Sequence, residues 1–253
     1  MPRLLLPFIA ILFIGLLSGC AAIIPQTLMT PTVREKGEAE IDASVGLHGE
    51  SLQAAYATSN HTVLLASGHH WARGSRWSWS GEGGGGRQWV RPNGGSWGLY
   101  GGAGYGAGYS YDSFCLDLCG DTPTNERVRY TYSFVQPTYT ILQDRTTLGF
   151  AVRLQPLRLS RWETYEVSYS PDSLGNINRE AYPINRAGLW MVLLQPGINV
   201  RYQIGKHLCL TYNISGVFPL SNRRREEASA LRLATGVGVQ LVLGRRAMAT
   251  PAW

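Results

Sequence analysis

Charge is what this chain has least of. Of its 253 residues only 16% are Asp, Glu, Lys or Arg, against roughly 25% in an ordinary soluble domain. That is too little to cover a conventional water-facing surface. Lysine is nearly missing: Lys36 and Lys206 are the only two, so the positive charge is almost all arginine. After the first 20 residues no apolar run approaches about 18 residues, which excludes a second membrane-spanning helix. No helical periodicity persists beyond two turns, which excludes a helical fold. Cysteines are few. Cys115 and Cys119 flank Leu-Asp-Leu in a polar stretch and could close a small disulfide ring. No second pair follows and no histidine is close in sequence, so zinc is not expected. No cofactor is expected either.

What is present in quantity is glycine (30), tyrosine (13) and tryptophan (8). Glycine and aromatics without lysine suit a β-rich protein with an apolar exterior.

The first 19 residues read as a signal peptide, with Arg3 ahead of the apolar run LLLPFIAILFIGLL. Leu17-Ser18-Gly19-Cys20 then resembles a lipobox, which makes Cys20 the expected lipidation site. This leader is excluded from the fold. Residues 20–37 contain two prolines, Pro25 and Pro31, and little periodicity and are expected to be a lipidated tether. Residues 38–245 are expected to form one domain, followed by a tail at 246–253.

Within that domain nearly everything alternates. Strands are expected at about 38–47, 51–59, 61–71, 76–90, 96–111, 127–142, 146–164, 188–204, 207–217 and 229–244. Ser59-Asn60, Pro92-Asn93-Gly94-Gly95, Gln143-Asp144-Arg145 and Gly205-Lys206 supply tight turns, because Asn, Asp and Gly tolerate positive φ. The connections 112–126, 165–187 and 218–228 are long and polar. Short turns at one end and long loops at the other are the pattern of an all-β, antiparallel, up-and-down transmembrane barrel. About ten strands are expected, with eight as the alternative. Three strands share a Gln-Pro step, at Gln136-Pro137, Gln155-Pro156 and Gln195-Pro196. Proline cannot donate to a ladder, so bulges are expected there.

The polar face decides between a membrane barrel and a soluble lipocalin-like one. The fifth strand sets Trp97, Leu99, Ala103, Tyr105, Ala107 and Tyr109 against Gly98, Tyr100, Gly102, Gly104, Gly106 and Gly108. A row of glycines makes a poor exterior in water but leaves room inside a narrow lumen. The same parity places Glu38, Glu40, Asp42, Glu82, Arg129, Arg153, Arg201 and Arg232 inside. Buried charges need partners, so these eight are expected to form an ion-pair network, with Arg232 beside the acidic row across the closing seam.

The stretches EKGEAEIDASVG, LQAAYATSNH, GLYGGAGYGAG and FVQP followed by FAVRLQ resemble lipoprotein-type outer-membrane β-barrels of Gram-negative bacteria. The resemblance covers about residues 30–245. It implies an outer-membrane location; its motifs are structural, with little functional specificity, and it carries over no catalytic residue.

Other motifs have simpler readings. Gly81-Glu82-Gly83-Gly84-Gly85-Gly86 has the spacing of a dinucleotide loop but runs on into Arg87-Gln88-Trp89-Val90, which reads as strand. Neither nucleotide nor nucleic acid is an expected partner; membrane lipid is. Arg223-Arg224-Arg225-Glu226-Glu227 could meet lipopolysaccharide headgroups, although a solvated loop is the plainer reading. Ser67 and His69 share a strand face, but two residues alone do not make a nucleophile and an oriented base. An enzyme is therefore not expected, and a lipid-modifying barrel is the minor alternative. A small polar pore and an anchored lipocalin-like binder are the remaining alternatives.

Overall fold

The computed structural model describes residues 26–46, 49–92, 95–112, 124–171, 177–185, 188–220 and 233–244. Every regular element among them is a strand: β1 (Ala39–Gly46), β2 (Gly49–Ala57), β3 (Thr62–Arg73), β4 (Arg76–Val90), β5 (Ser96–Asp112), β6 (Thr124–Gln143), β7 (Thr146–Pro171), β8 (Ile177–Asn185), β9 (Trp190–Gln203), β10 (Leu208–Gly216), β11 (Phe218–Pro219) and β12 (Leu233–Leu243). β8 folds back on the outer part of β7, and the two-residue β11 pairs only with β9. The other ten close an antiparallel barrel in the order β1 to β7, β9, β10, β12. The seams are β7 on β9 and β12 on β1.

The turns explain the closure. Asp144 adopts φ 50° in the β6–β7 turn and Gly74 adopts φ 61° in the β3–β4 turn. These are left-handed conformations that suit Asp and Gly. Four short turns, β2–β3, β4–β5, β6–β7 and β9–β10, and the start of β1 lie at one end, the short-turn mouth. The longer connections lie at the other, together with the two-residue β3–β4 turn. There the wall is uneven, because β7 has 26 residues whereas β1 has 8. Within the stretch expected as a loop at 165–187, residues 165–171 extend β7 and residues 177–185 form β8, paired from Glu163↔Asn185 to Pro171↔Ile177. Alternating Tyr165, Val167 and Tyr169 carried that signal in sequence.

The Gln-Pro steps are not bulges. Register runs unbroken through Leu99↔Pro137, Pro156↔Val192 and Val152↔Pro196. The single shift on β6–β7 lies between Arg129 and Tyr130, opposite Ser160, whose hydroxyl donates to the Arg129 carbonyl at 3.0 Å. It moves the inward set of β7 from Leu157 and Leu159 to Trp162.

The barrel is apolar outside and polar inside. Exposed positions include Ile41, Leu52, Leu64, Leu99, Val135, Val152, Val237, Val239 and Leu241. Aromatics form two outer clusters. One, at the short-turn end, has Trp89, Trp97 and Tyr139, with Arg91 stacked 5.4 Å from Trp97. The other, toward the long connections, has Trp77, Trp79 and Tyr105, and Trp190 stands at the same end on β9.

The glycines of β5 give way to rings from β6. A Cβ at Gly106 would stand 2.3 Å from Tyr130, and one at Gly104 2.3 Å from Tyr132. These rings, with Val128, Phe134, Leu157, Leu159, Trp162 and Leu193, make an apolar core inside the taller half of the barrel. Arg129 is consequently not luminal. Val128 and Tyr130 take the inward places on either side of it, and Arg129 is exposed on the outer wall.

Candidate functional site

The lumen contains part of the chain expected to be a tether. Gln26, Thr27, Leu28, Met29, Thr30 and Val33 are all buried inside the barrel. This strap pairs with no strand. Wall side chains bond several of its backbone groups instead, which is how a buried polar backbone finds partners away from a ladder.

Four glutamines donate to its carbonyls. Gln195 reaches Gln26, Gln53 reaches Thr27, Gln136 reaches Met29 at 2.7 Å and Gln88 reaches Val33 at 2.8 Å. Two carboxylates accept from its N–H groups. Glu40 takes the Thr32 N–H at 3.1 Å and the Thr32 hydroxyl at 2.7 Å, and Glu38 takes the Arg34 N–H at 2.6 Å. Side chains of the strap bond outward as well: the Gln26 amide donates to Ser80 and Tyr132, and Ser67 donates back to Gln26 at 2.9 Å. Thr30 receives Arg201 at 3.2 Å.

The acidic row of the first strand therefore serves the strap more than it serves arginines. Glu38, Glu40 and Asp42 are all luminal, at 4%, 0% and 3% exposure. Among the described residues, an ion pair inside the lumen joins Glu82 to Arg153. The Arg153 Nη1 and Nη2 atoms donate to the Glu82 carboxylate at 2.7 and 2.9 Å, and Nε donates to Gln136 at 2.9 Å. The guanidinium lies 4.1 Å from the centre of the Phe134 ring, and the Tyr132 hydroxyl donates to the same carboxylate.

The expected partnership of Arg232 with Glu40 or Asp42 has a different geometry around it. The closing seam sets Val242 opposite Glu40 and Gln240 opposite Asp42. Arg232 lies outside the described residues, as do Cys20, Cys115, Cys119 and the run from Arg223 to Glu227.

One part of the lumen is less complete. Arg201 and Thr211 are the polar neighbours of Asp42, yet both Asp42 oxygens, Arg201 Nε and Nη1, the Thr211 hydroxyl and the Gln240 amide complete no hydrogen bond of ordinary geometry. Register places Asp42 opposite Gln240, and Thr211 opposite Arg201. A small cavity of about 20 Å³ adjoins Arg201 and Gln240, near the volume that one water needs.

Ser67 and His69 both face inward, and Ser67 spends its hydroxyl on the strap. Among the described residues no three His, Cys, Asp or Glu side chains gather as a metal site.

Comparison with known proteins adds little to this geometry. No protein-family model matches the chain, and no curated protein matches it. Among solved structures it is similar to the translocator domain of the autotransporter NalP from Neisseria meningitidis. The identity is 11%, the TM-score 0.39, and the match covers 81% of this chain and 86% of that one. The resemblance to lipoprotein-type barrels thus gains no family match.

The glutamines are what sequence reading missed. Gln136 and Gln195 belong to the Gln-Pro steps, whose repeated amide was the available signal.

Proposed function

We propose that the protein is an outer-membrane β-barrel lipoprotein with a structural role, its lumen closed by its own N-terminal strap. The observation that carries this reading is the inverted wall: aliphatic side chains outside, carboxylates, arginines and glutamines inside. Its dimensions suit a bilayer. Trp79 and Trp89 belong to the two aromatic clusters and lie ten residues apart on β4. At about 3.3 Å per residue and a strand tilt of about 40°, that is roughly 25 Å along the barrel axis, the height of an outer-membrane apolar band. Lipidation at Cys20 would add a second attachment, and a diacyl form holds where a single chain binds marginally. The reading assigns the barrel no catalytic step.

A small pore for polar solutes is the second reading. It draws on the incomplete bonding around Asp42, Arg201, Thr211 and Gln240. Planar-bilayer recording on purified full-length protein separates the two. The strap reading expects no steady conductance from wild type. A stable ohmic conductance would reject the closed scaffold in favour of the pore. Extraction without detergent would reject both and favour the soluble lipocalin-like alternative.

A further inference from the structure

The strap has a direction. Its later residues, Thr32 and Arg34, bond to Glu40 and Glu38 at the start of β1, by the short-turn mouth. Lys36 then donates its N–H to Asn60 in the β2–β3 turn, and Gly37 to Ala57. Its earliest described residue, Gln26, bonds at the opposite end. It reaches Ser80, four residues into β4, and its carbonyl receives Ser215, one residue from the end of β10. Thr27 meets Ser51, near the start of β2. The residues between follow in order: Met29 at Gln136, Thr30 against Gly149 and Arg201. The chain therefore runs from the long-connection side toward the short turns, and then reverses into β1.

From this we infer that the chain preceding Gln26 leaves through the mouth bearing the long connections. Cys20, with any acyl group it carries, then lies at the membrane boundary on that side, opposite the short turns. The inference rests on the membrane-barrel reading for its boundary and on the strap alone for its direction.

Lengths decide against the other exit. Gln26 to Val33 is eight residues, about 26 Å when extended, and the six residues from Cys20 to Gln26 span about 20 Å. A segment doubled back through the lumen would fall short of the short-turn mouth. It would also need room beside Tyr100, Gln88, Gln136 and Arg153, each at 2% exposure or less. The wall beside Gln26 borders an open cleft of about 750 Å³ that takes in inward Ser44, Ser51, His69 and Ser80 together with exposed Val45, Leu52, Val237 and Val239 of the outer face. The wall is also low there, since β1 ends at Gly46, β2 begins at Gly49 and β10 ends at Gly216. From Ser80 to the start of β4 is about 13 Å, within reach of six residues.

The test uses full-length protein in which Cys115, Cys119 and Cys209 are each changed to Ser. Single cysteines are then introduced as Ile24→Cys ahead of the strap, Ser75→Cys in the β3–β4 turn and Lys206→Cys in the β9–β10 turn. The parent carrying only Cys20 sets the background, because an acylated cysteine does not react. A membrane-impermeant maleimide on intact cells should label Ile24→Cys together with Ser75→Cys, and Lys206→Cys only after permeabilisation. Labelling of Ile24→Cys in step with Lys206→Cys would overturn the inference. Equal labelling of Ser75→Cys and Lys206→Cys would instead count against the membrane reading, and spin-label distances on purified protein then decide the direction. Ile24→Cys lying nearer to Ser75→Cys supports the inference; lying nearer to Lys206→Cys overturns it.

Discussion

The Glu82–Arg153 pair offers the sharpest test of how dry the lumen is. Two parallel hydrogen bonds, at 2.7 and 2.9 Å, join side chains that are 9% and 2% exposed. Bidentate arginine–carboxylate geometry is the strong form of this contact. Changing Glu82 to Gln leaves the guanidinium buried, with its Nε bond to Gln136 and its stacking on Phe134. Removing one partner of a buried pair costs roughly 3–5 kcal/mol, because the other charge is left uncompensated. Changing Arg153 to Met strands the carboxylate instead, with only the Tyr132 hydroxyl beside it. The double variant strands neither charge, so its loss should fall well below the sum of the two singles. A coupling of about 2–3 kcal/mol, near the upper end for neighbouring residues, is expected. The assay is urea unfolding in detergent micelles, read as the fraction retaining the fast gel mobility of the closed barrel. Additive losses would show that water solvates each charge separately. That result would refute the packed lumen and favour the pore.

Other perturbations address the remaining parts. Val239→Arg, on the exposed face of β12, should cost roughly 2–4 kcal/mol if that position lies near the bilayer midplane; assembly into membranes as good as wild type would reverse the face assignment. Glu40→Gln weakens two charge-assisted bonds to Thr32, worth about 1.5–3 kcal/mol each, and faster hydrogen exchange at the Thr32 amide with the barrel still closed is the expected reading. Gly106→Ala drives a Cβ to 2.3 Å from the Tyr130 ring and should cost about 1–3 kcal/mol as an overpacked site; Tyr130→Leu should restore part of it in the same unfolding assay. Cys20→Ser should leave an unprocessed precursor on a gel, and normal maturation would remove the lipobox reading.

The strand reading succeeded where local chemistry and burial agree. Alternation on β12 runs Val237, Val239, Leu241 against Gly236, Gly238, Gln240, and the structure exposes the first set and buries the second. Asp144 stands in a turn that needs φ above zero. Period-2 patterning and turn residues are local properties, so they are written in the chain. Arg129 failed for the opposite reason. Its strand alternates equally well in either sense, with Tyr130 and Tyr132 able to face lipid or lumen. What chose the lumen was the row of glycines on the neighbouring strand, a contact made across β5 and β6.

By itself the sequence determined an all-β chain with its charge to be hidden, the places where it turns, and the acidic row on one side of the first strand. Only the tertiary structure decided what that row is for. Residues 26–33 have no strand periodicity, and apart from Thr32 with Glu40 their bonds are not to sequence neighbours, so nothing in their own composition distinguishes a tether from a plug. Their bonds go to Gln53, Gln88, Gln136 and Gln195, which lie as many as 169 residues away along the chain. Those amides converge on one line only when ten strands close around it, and a buried backbone must then take whatever donors and acceptors the wall presents.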